Sequence, residues 1–207
     1  MAYGADRREE RWTQRLPGAL TMVGGTLAVL WSLEAVDATL SGRLDGYGIR
    51  PRSLSGLEGI PFAPFLHAGF GHLLSNSVMF AVLGVISYTA VTLARFVGVL
   101  LTTALSSGLG AWLFGAPNTV VIGASGVIFG LLGFLLFRGL AERSPGAITV
   151  SIMMLMIYGG SISGVLPGVP FVSWQSHLFG FIGGAGAAFL LRPARPTLAT
   201  PGWRSRG

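Results

Sequence analysis

Three short stretches of the chain combine reactive side chains with surroundings in which such side chains are costly. Segment 120–137, VVIGASGVIFGLLGFLLF, is almost wholly apolar and holds one hydroxyl, Ser125, with Gly123, Gly126 and Gly130 close to it. Segment 72–76, HLLSN, opens a second apolar run and sets His72 and Asn76 four residues apart, on one helical face. Segment 177–184, HLFGFIGG, opens a third and aligns His177 with Gly180 and Gly184. A serine becomes a nucleophile when a neighbouring base takes its proton, and His177 is a suitable base. A tetrahedral intermediate needs donors for its oxyanion, which the His72 ring, the Asn76 amide and the Ser125 backbone N–H can supply.

Competing serine chemistries fail on composition. A Ser–Lys dyad needs lysine and a thiol mechanism needs cysteine, and the chain has neither. The absence of cysteine also excludes disulfides and thiolate metal sites. GASGV is not the G-x-S-x-G turn that presents a hydroxyl in soluble hydrolases. The carboxylates inside apolar spans are Glu34 and Asp37, both in the first span, so the reading is a Ser–His dyad and not a triad. Taken singly, each stretch also has a plain structural reading. Ser125 can pack helices, His177 can be a buried hydrogen-bonded ring, and His72 and Asn76 can cap the start of a span.

The elements that must position these groups follow from bulk character. The 207 residues are 51% hydrophobic and only 11% charged, and mean hydropathy is +0.66. A soluble domain carries roughly 25% charged residues, and a membrane span needs roughly 20 apolar residues. The expected fold is therefore all-α, a polytopic bundle of six transmembrane helices. The spans are read at 18–38, 72–93, 96–114, 121–138, 147–164 and 174–191. Residues 1–17 form an N-terminal tail, 18–191 the six-span domain and 192–207 a C-terminal tail. The polar start, MAYGADRREERWTQR, does not resemble a cleavable signal peptide.

The net charge of +6 comes from arginine alone. The arginines flank apolar runs and form no basic stripe, so they read as orientation signals and not as a nucleic-acid surface. With the N-terminus inside, eleven of them fall on inner segments and three on outer ones (Arg43, Arg50 and Arg52). That bias places both termini in the cytoplasm, and the expected location is the plasma membrane. Spans two, four and six then all begin at the outer side. Ser125 lies about four residues into its span and His177 about three, roughly 5–10 Å deep at ~1.5 Å per residue. Gly126/Gly130 and Gly180/Gly184 are small-xxx-small pairs that let backbones approach closely. The long outer connection 39–71 is rich in glycine and proline, which argues against a long regular helix, and its apolar residues place it partly in the membrane interface.

The set HAGFGHLLSN (67–76), GASG (123–126) and HLFGFIGG (177–184), in that order on alternate spans, resembles the rhomboid intramembrane serine proteases. The likeness covers roughly residues 43–190, and the size resembles the minimal six-span form. It implies a rhomboid-like bundle with Ser125 as nucleophile, His177 as general base, and His72 and Asn76 in the oxyanion hole. It also implies that His67 shapes the loop and that Phe129 packs against the catalytic imidazole, where some relatives carry tyrosine. A clear tryptophan–arginine pair is missing from the first loop, with Arg43 and Arg52 as possible anchors. The implied activity is cleavage of membrane proteins in or near a transmembrane segment, close to the outer face, favouring small residues at the cut. Span five and loop 165–173 would admit the substrate sideways. The partners are such substrates and the lipid bilayer, with no cofactor, metal or nucleic acid. Two alternatives remain, a non-catalytic helix-binding relative and a small transporter or proton channel. The apolar inner halves of spans four and six, LLGFLLF and GGAGAAFLL, offer the last no polar path.

Overall fold

The computed structural model describes residues 3–168 and 172–193, with side chains from residue 12 onward. The described part is all-helical apart from one isolated bridge. Seven α-helices follow in order: α1 (Tyr3–Thr39), α2 (Leu54–Glu58), α3 (Phe70–Ala90), α4 (Leu93–Phe114), α5 (Ser125–Glu142), α6 (Pro145–Tyr158) and α7 (Trp174–Leu190). A 3-10 stretch, Gly159–Val165, continues α6. Among the described residues, five helical segments are long and apolar enough to cross a membrane: Trp12–Thr39, α3, α4, α5 and Pro145–Val165. The chain is thus a multi-pass membrane protein. The sixth apolar helix, α7, has 17 residues, about 25 Å of helix.

Helix α5 is the axis of the bundle. It packs on α7, α4, α6 and α3, and two thirds of its length is buried, whereas α6 buries Ala147 and Met154 alone. Its contact with α7 depends on missing side chains. A Cβ on Gly180 would lie 2.0 Å from the Gly126 carbonyl oxygen, and one on Gly184 would lie 1.8 Å from the Gly130 carbonyl oxygen. On the third side, a Cβ on Gly126 would meet the Ser107 hydroxyl of α4 at 1.9 Å. The expected small-residue pairs therefore set backbone against backbone. Large apolar side chains turned away from the bundle, such as Leu101, Leu105 and Met156, are exposed, as suits a lipid-facing surface. Met154, by contrast, is buried.

Several helix boundaries differ from the sequence reading. Helix α1 begins at Tyr3, so the stretch read as a tail to residue 17 is helical from residue 3, and the α-helix of span five ends at Tyr158 and not at 164. Span two ends at Ala90 and not 93, and span three begins at Leu93 and not 96, because the Thr92 hydroxyl accepts the Arg95 N–H and caps α4. Span four was expected from 121 but the helix begins at Ser125. Residues before it are extended: Val121 exchanges both backbone hydrogen bonds with Ile49 (2.8 and 3.0 Å). Gly123 then turns the chain with φ +117°, a conformation that glycine adopts without strain. Ser125 is consequently the first residue of its helix and not about four residues into it.

The connection 40–69 lies across one end of the bundle as short turns: Leu44–Tyr47, α2 and Ala63–Phe65. It is fastened to α4 by Trp112. The Trp112 indole N–H donates to the Ser53 carbonyl (2.7 Å), and the Arg52 N–H donates to the Trp112 carbonyl (2.9 Å). The Arg52 guanidinium donates to the Gly115 carbonyl at 2.9 Å. Trp112 of α4 and Arg52 of the connection thus anchor the loop together. At the opposite end of the bundle, Glu142 holds both Arg95 and Arg138 and joins α4 to α5.

Candidate active site

The loop end of the bundle brings the three sequence stretches together. The Ser125 hydroxyl donates to His177 Nε2 at 2.8 Å. His177 Nδ1 lies 2.9 Å from the Gly164 carbonyl, which can only accept. That carbonyl fixes the proton on Nδ1 and leaves Nε2 as the free base facing the hydroxyl. The Phe129 ring, one turn below Ser125, lies flat on the imidazole with centroids 4.2 Å apart and planes 12° apart. His177 is buried, so its ring is held by stacking and by both nitrogens.

The remaining donors stand over the turn that leads into Ser125. A Cβ on Gly123 would sit 2.8 Å from His72 Cε1, 3.0 Å from His72 Nε2 and 3.6 Å from Asn76 Nδ2. His72 and Asn76 therefore converge on one glycine, two residues before the hydroxyl. Asn76 is buried and its Nδ2 has no hydrogen-bond partner. A buried amide donor left unpaired in a native fold calls for an explanation, and an acceptor that arrives with a ligand is one. The Ser125 N–H joins this set, because the first amides of a helix have no acceptor within it.

The long connection holds the turn. The Gly123 N–H donates to the Ala63 carbonyl (2.8 Å), and the Ala124 N–H donates to His67 Nε2 (3.4 Å). His67 is buried and sits edge-on to His72, centroids 5.2 Å apart. Burial, and next the neighbouring His72 ring, push its pKa down to about 4, against the opposing influence of the Phe65 backbone. His67 is thus a neutral acceptor for the Ala124 amide. Glu34 and Asp37 are both buried at the end of α1, where Asp37 Oδ1 accepts the Leu44 N–H (2.7 Å). Among the described residues no group of histidine and acidic side chains could hold a metal ion.

Beside His72 opens a cavity of about 580 Å³, walled by Val121 and Ile122 on one side and Ser173–Gln175 on the other. The sequence reading did not single out Gly164, Trp112 or Asp45. Gly164 carries the carbonyl that orients His177, and a side chain there would meet Phe129 at 2.8 Å; its place between two apolar runs gave no sign of that contact. Of loop 165–173, residues 169–171 lie outside the described residues, as does the C-terminal tail from 194.

Fold and site together define a multi-pass helical membrane protein with a serine–histidine pair at the head of its most buried helix. The chain belongs to the rhomboid family: the Rhomboid domain pattern matches residues 57–194. An uncharacterised protein of Mycobacterium tuberculosis is 42% identical over 183 residues, 82% of this chain and 76% of that protein. One from Mycobacterium leprae is 41% identical over 192 residues, 86% of this chain and 76% of that protein. RHOMBOID-like protein 1 of Arabidopsis thaliana is 29% identical over 131 residues, 62% of this chain and 33% of that protein.

Proposed function

We propose that this protein is an intramembrane serine endopeptidase that cuts transmembrane substrates by a Ser125–His177 dyad. The observation that carries the reading is the 2.8 Å contact between Ser125 Oγ and a His177 nitrogen freed to accept by the Gly164 carbonyl. In this mechanism Ser125 Oγ attacks the scissile carbonyl carbon while its proton passes to His177 Nε2. The carbonyl oxygen takes the negative charge and meets the Asn76 amide, the His72 ring and the Ser125 N–H. Collapse expels the amine, which leaves with the proton from Nε2, and the acyl group stays on Ser125. Water then repeats the sequence with Nε2 as base, and the acid product departs.

α7 is a sixth span in this reading, its ~25 Å slightly short of a ~30 Å core. With both termini cytoplasmic the site lies toward the outer face, just below the surface, where the cavity beside His72 supplies water. The substrate helix unwinds locally before the cut, since an intact helix hides its carbonyls in hydrogen bonds.

A fluorophosphonate probe, which marks only activated serines, tests the reading on the purified protein. Wild type is expected to be labelled, and Ser125→Ala and His177→Ala to remain blank while keeping the melting temperature of the parent. A folded wild type that stays unlabelled, and that cleaves no membrane substrate, sinks the proposal and leaves a helix-binding protein in its place.

A further inference from the structure

The cavity beside His72 has one acidic group in its wall, Asp45, carried by the turn Leu44–Tyr47. The rest of the wall is apolar or neutral and polar, with Val120, Ile122 and Trp174 prominent. Asp45 Oδ1 is buried and has no hydrogen-bond partner. Four nearby side-chain donors bond other acceptors. The Arg50 guanidinium donates to the Gly46 carbonyl (3.2 Å) and that of Arg52 to the Gly115 carbonyl (2.9 Å). Across the cavity, the Gln175 amide donates to the Phe114 carbonyl (3.0 Å) and the Thr119 hydroxyl to the Ala116 carbonyl (2.7 Å). Among the described residues the ion pairs are those of Glu142, at the far end of the bundle.

The groups that act on Asp45 electrostatically have its own sign. Burial raises its pKa to about 6, and Asp37 and then Glu34 push it in the same direction. Above about pH 6 the cavity wall therefore holds a carboxylate that forms no ion pair among the described residues, beside an apolar lining that weakens screening by water. A carboxylate so placed is completed by a cation that comes with the substrate, through a charge-assisted hydrogen bond.

We propose that Asp45 is a specificity-determining residue that receives a basic side chain, arginine or lysine, of the transmembrane substrate close to the bond that is cut. This inference rests on the protease reading above, and it adds the chemical class of the preferred substrate. An acidic side chain at the same substrate position meets like charge and is rejected.

The test uses the full chain in lipid nanodiscs and a transmembrane segment with small residues at the cut. A single Arg, Gln or Glu is placed in turn at each position flanking the cut. Wild type is expected to favour Arg over Glu by about tenfold in kcat/KM at one or more of these positions. Asp45→Asn is expected to flatten the series, and Asp45→Arg to reverse it in favour of Glu. Equal cleavage of the three series by wild type, or an Arg preference that survives in both variants, overturns the proposal. The isosteric Asp45→Asn settles the matter if Asp45→Arg does not fold. Binding of the same segments to Ser125→Ala, read by fluorescence anisotropy, separates the two levels of inference. Failure of the dyad abolishes cleavage and probe labelling of wild type. Failure of the Asp45 assignment leaves labelling intact and gives one Kd for Arg and Glu segments.

Discussion

The two ring nitrogens of His177 have different tasks, and the side chains around it divide in the same way between orientation and chemistry. Gly164 and Phe129 fix the ring, while Ser125 uses it. His72 and Asn76 face Gly123. On the proposed mechanism, Asn76→Ala or His72→Ala removes an oxyanion donor, and kcat is expected to fall about 10²–10³-fold with little change in KM. Steady-state kinetics on a membrane substrate check this, and a loss confined to KM contradicts the assignment. His67 makes a different prediction. Its folded pKa of about 4 lies below the ordinary 6.5, so between those values the unfolded chain takes up a proton that the folded one refuses. The stability tied to its neutral form is complete above pH 6.5 and is lost as pH falls toward 4, on the order of 1–3 kcal/mol. Asp45, raised from 3.8 to about 6, acts with the opposite sign. Its folded form binds the proton first, so its contribution is present at low pH and disappears as pH rises through 6. The two partly cancel in wild type. Melting curves of His67→Gln against wild type from pH 7 to 4 isolate the histidine: the variant is expected to lose less stability over that interval. The reactive types and their spacing were legible in the sequence at this scale. The Gly164 carbonyl and the Asp45 carboxylate were not, because a backbone oxygen leaves no mark on sequence and a loop acid has no periodicity to place it.

Two glycines two residues apart in α7 show how the elements are held. A Cβ on Gly184 would lie 1.8 Å from the Gly130 carbonyl oxygen, whereas one on Gly186 would have nothing within 4 Å. Gly184→Ala must push α7 away from α5, and with it His177 from Ser125. It is expected to cost about 1–3 kcal/mol and most of the activity. Gly186→Ala relieves a helix of an unfavourable residue and is expected to be neutral or to stabilise by up to ~1 kcal/mol. Thermal melting and probe labelling of the two variants decide between close packing and mere flexibility as the function of these glycines. Five of the six spans were readable from apolar length, and the glycine pairs from their spacing. The head of α5 was not. Val120, Val121 and Ile122 are β-branched and apolar, so they suit a buried helix and an extended segment equally. Pairing of Val121 with Ile49, some seventy residues earlier, made them extended and put Ser125 at the first amide of the helix.

At the scale of the whole molecule the two ends of the bundle are built differently. One end joins α4 to α5 through Glu142, which holds Arg95 and Arg138. The other carries the serine–histidine pair, the cavity and a connection fastened by Trp112 and by the Ile49–Val121 bridge. The proposed orientation in the membrane rests on arginine placement, and the cysteine-free chain makes it testable by single cysteines. Gly46→Cys, on the connection, is expected to react with an impermeant maleimide added to intact cells. Pro193→Cys, just past α7, is expected to react only after the membrane is opened. The reverse pattern places the site at the cytoplasmic face and overturns the proposed topology.

The sequence by itself determined that this chain is helical and spans a membrane, because the length and polarity of each run are local properties set by the bilayer. It also determined which side chains could react, because lysine, cysteine and well-placed acids are absent and a serine, an asparagine and histidines remain at span starts. Only the tertiary structure decided how they meet. The distance from Ser125 to His177 depends on a contact between α5 and α7 through bare backbone, and the tautomer of His177 on a carbonyl brought in by the turn after α6. Those contacts join residues tens of positions apart, and their geometry is a property of the packed bundle.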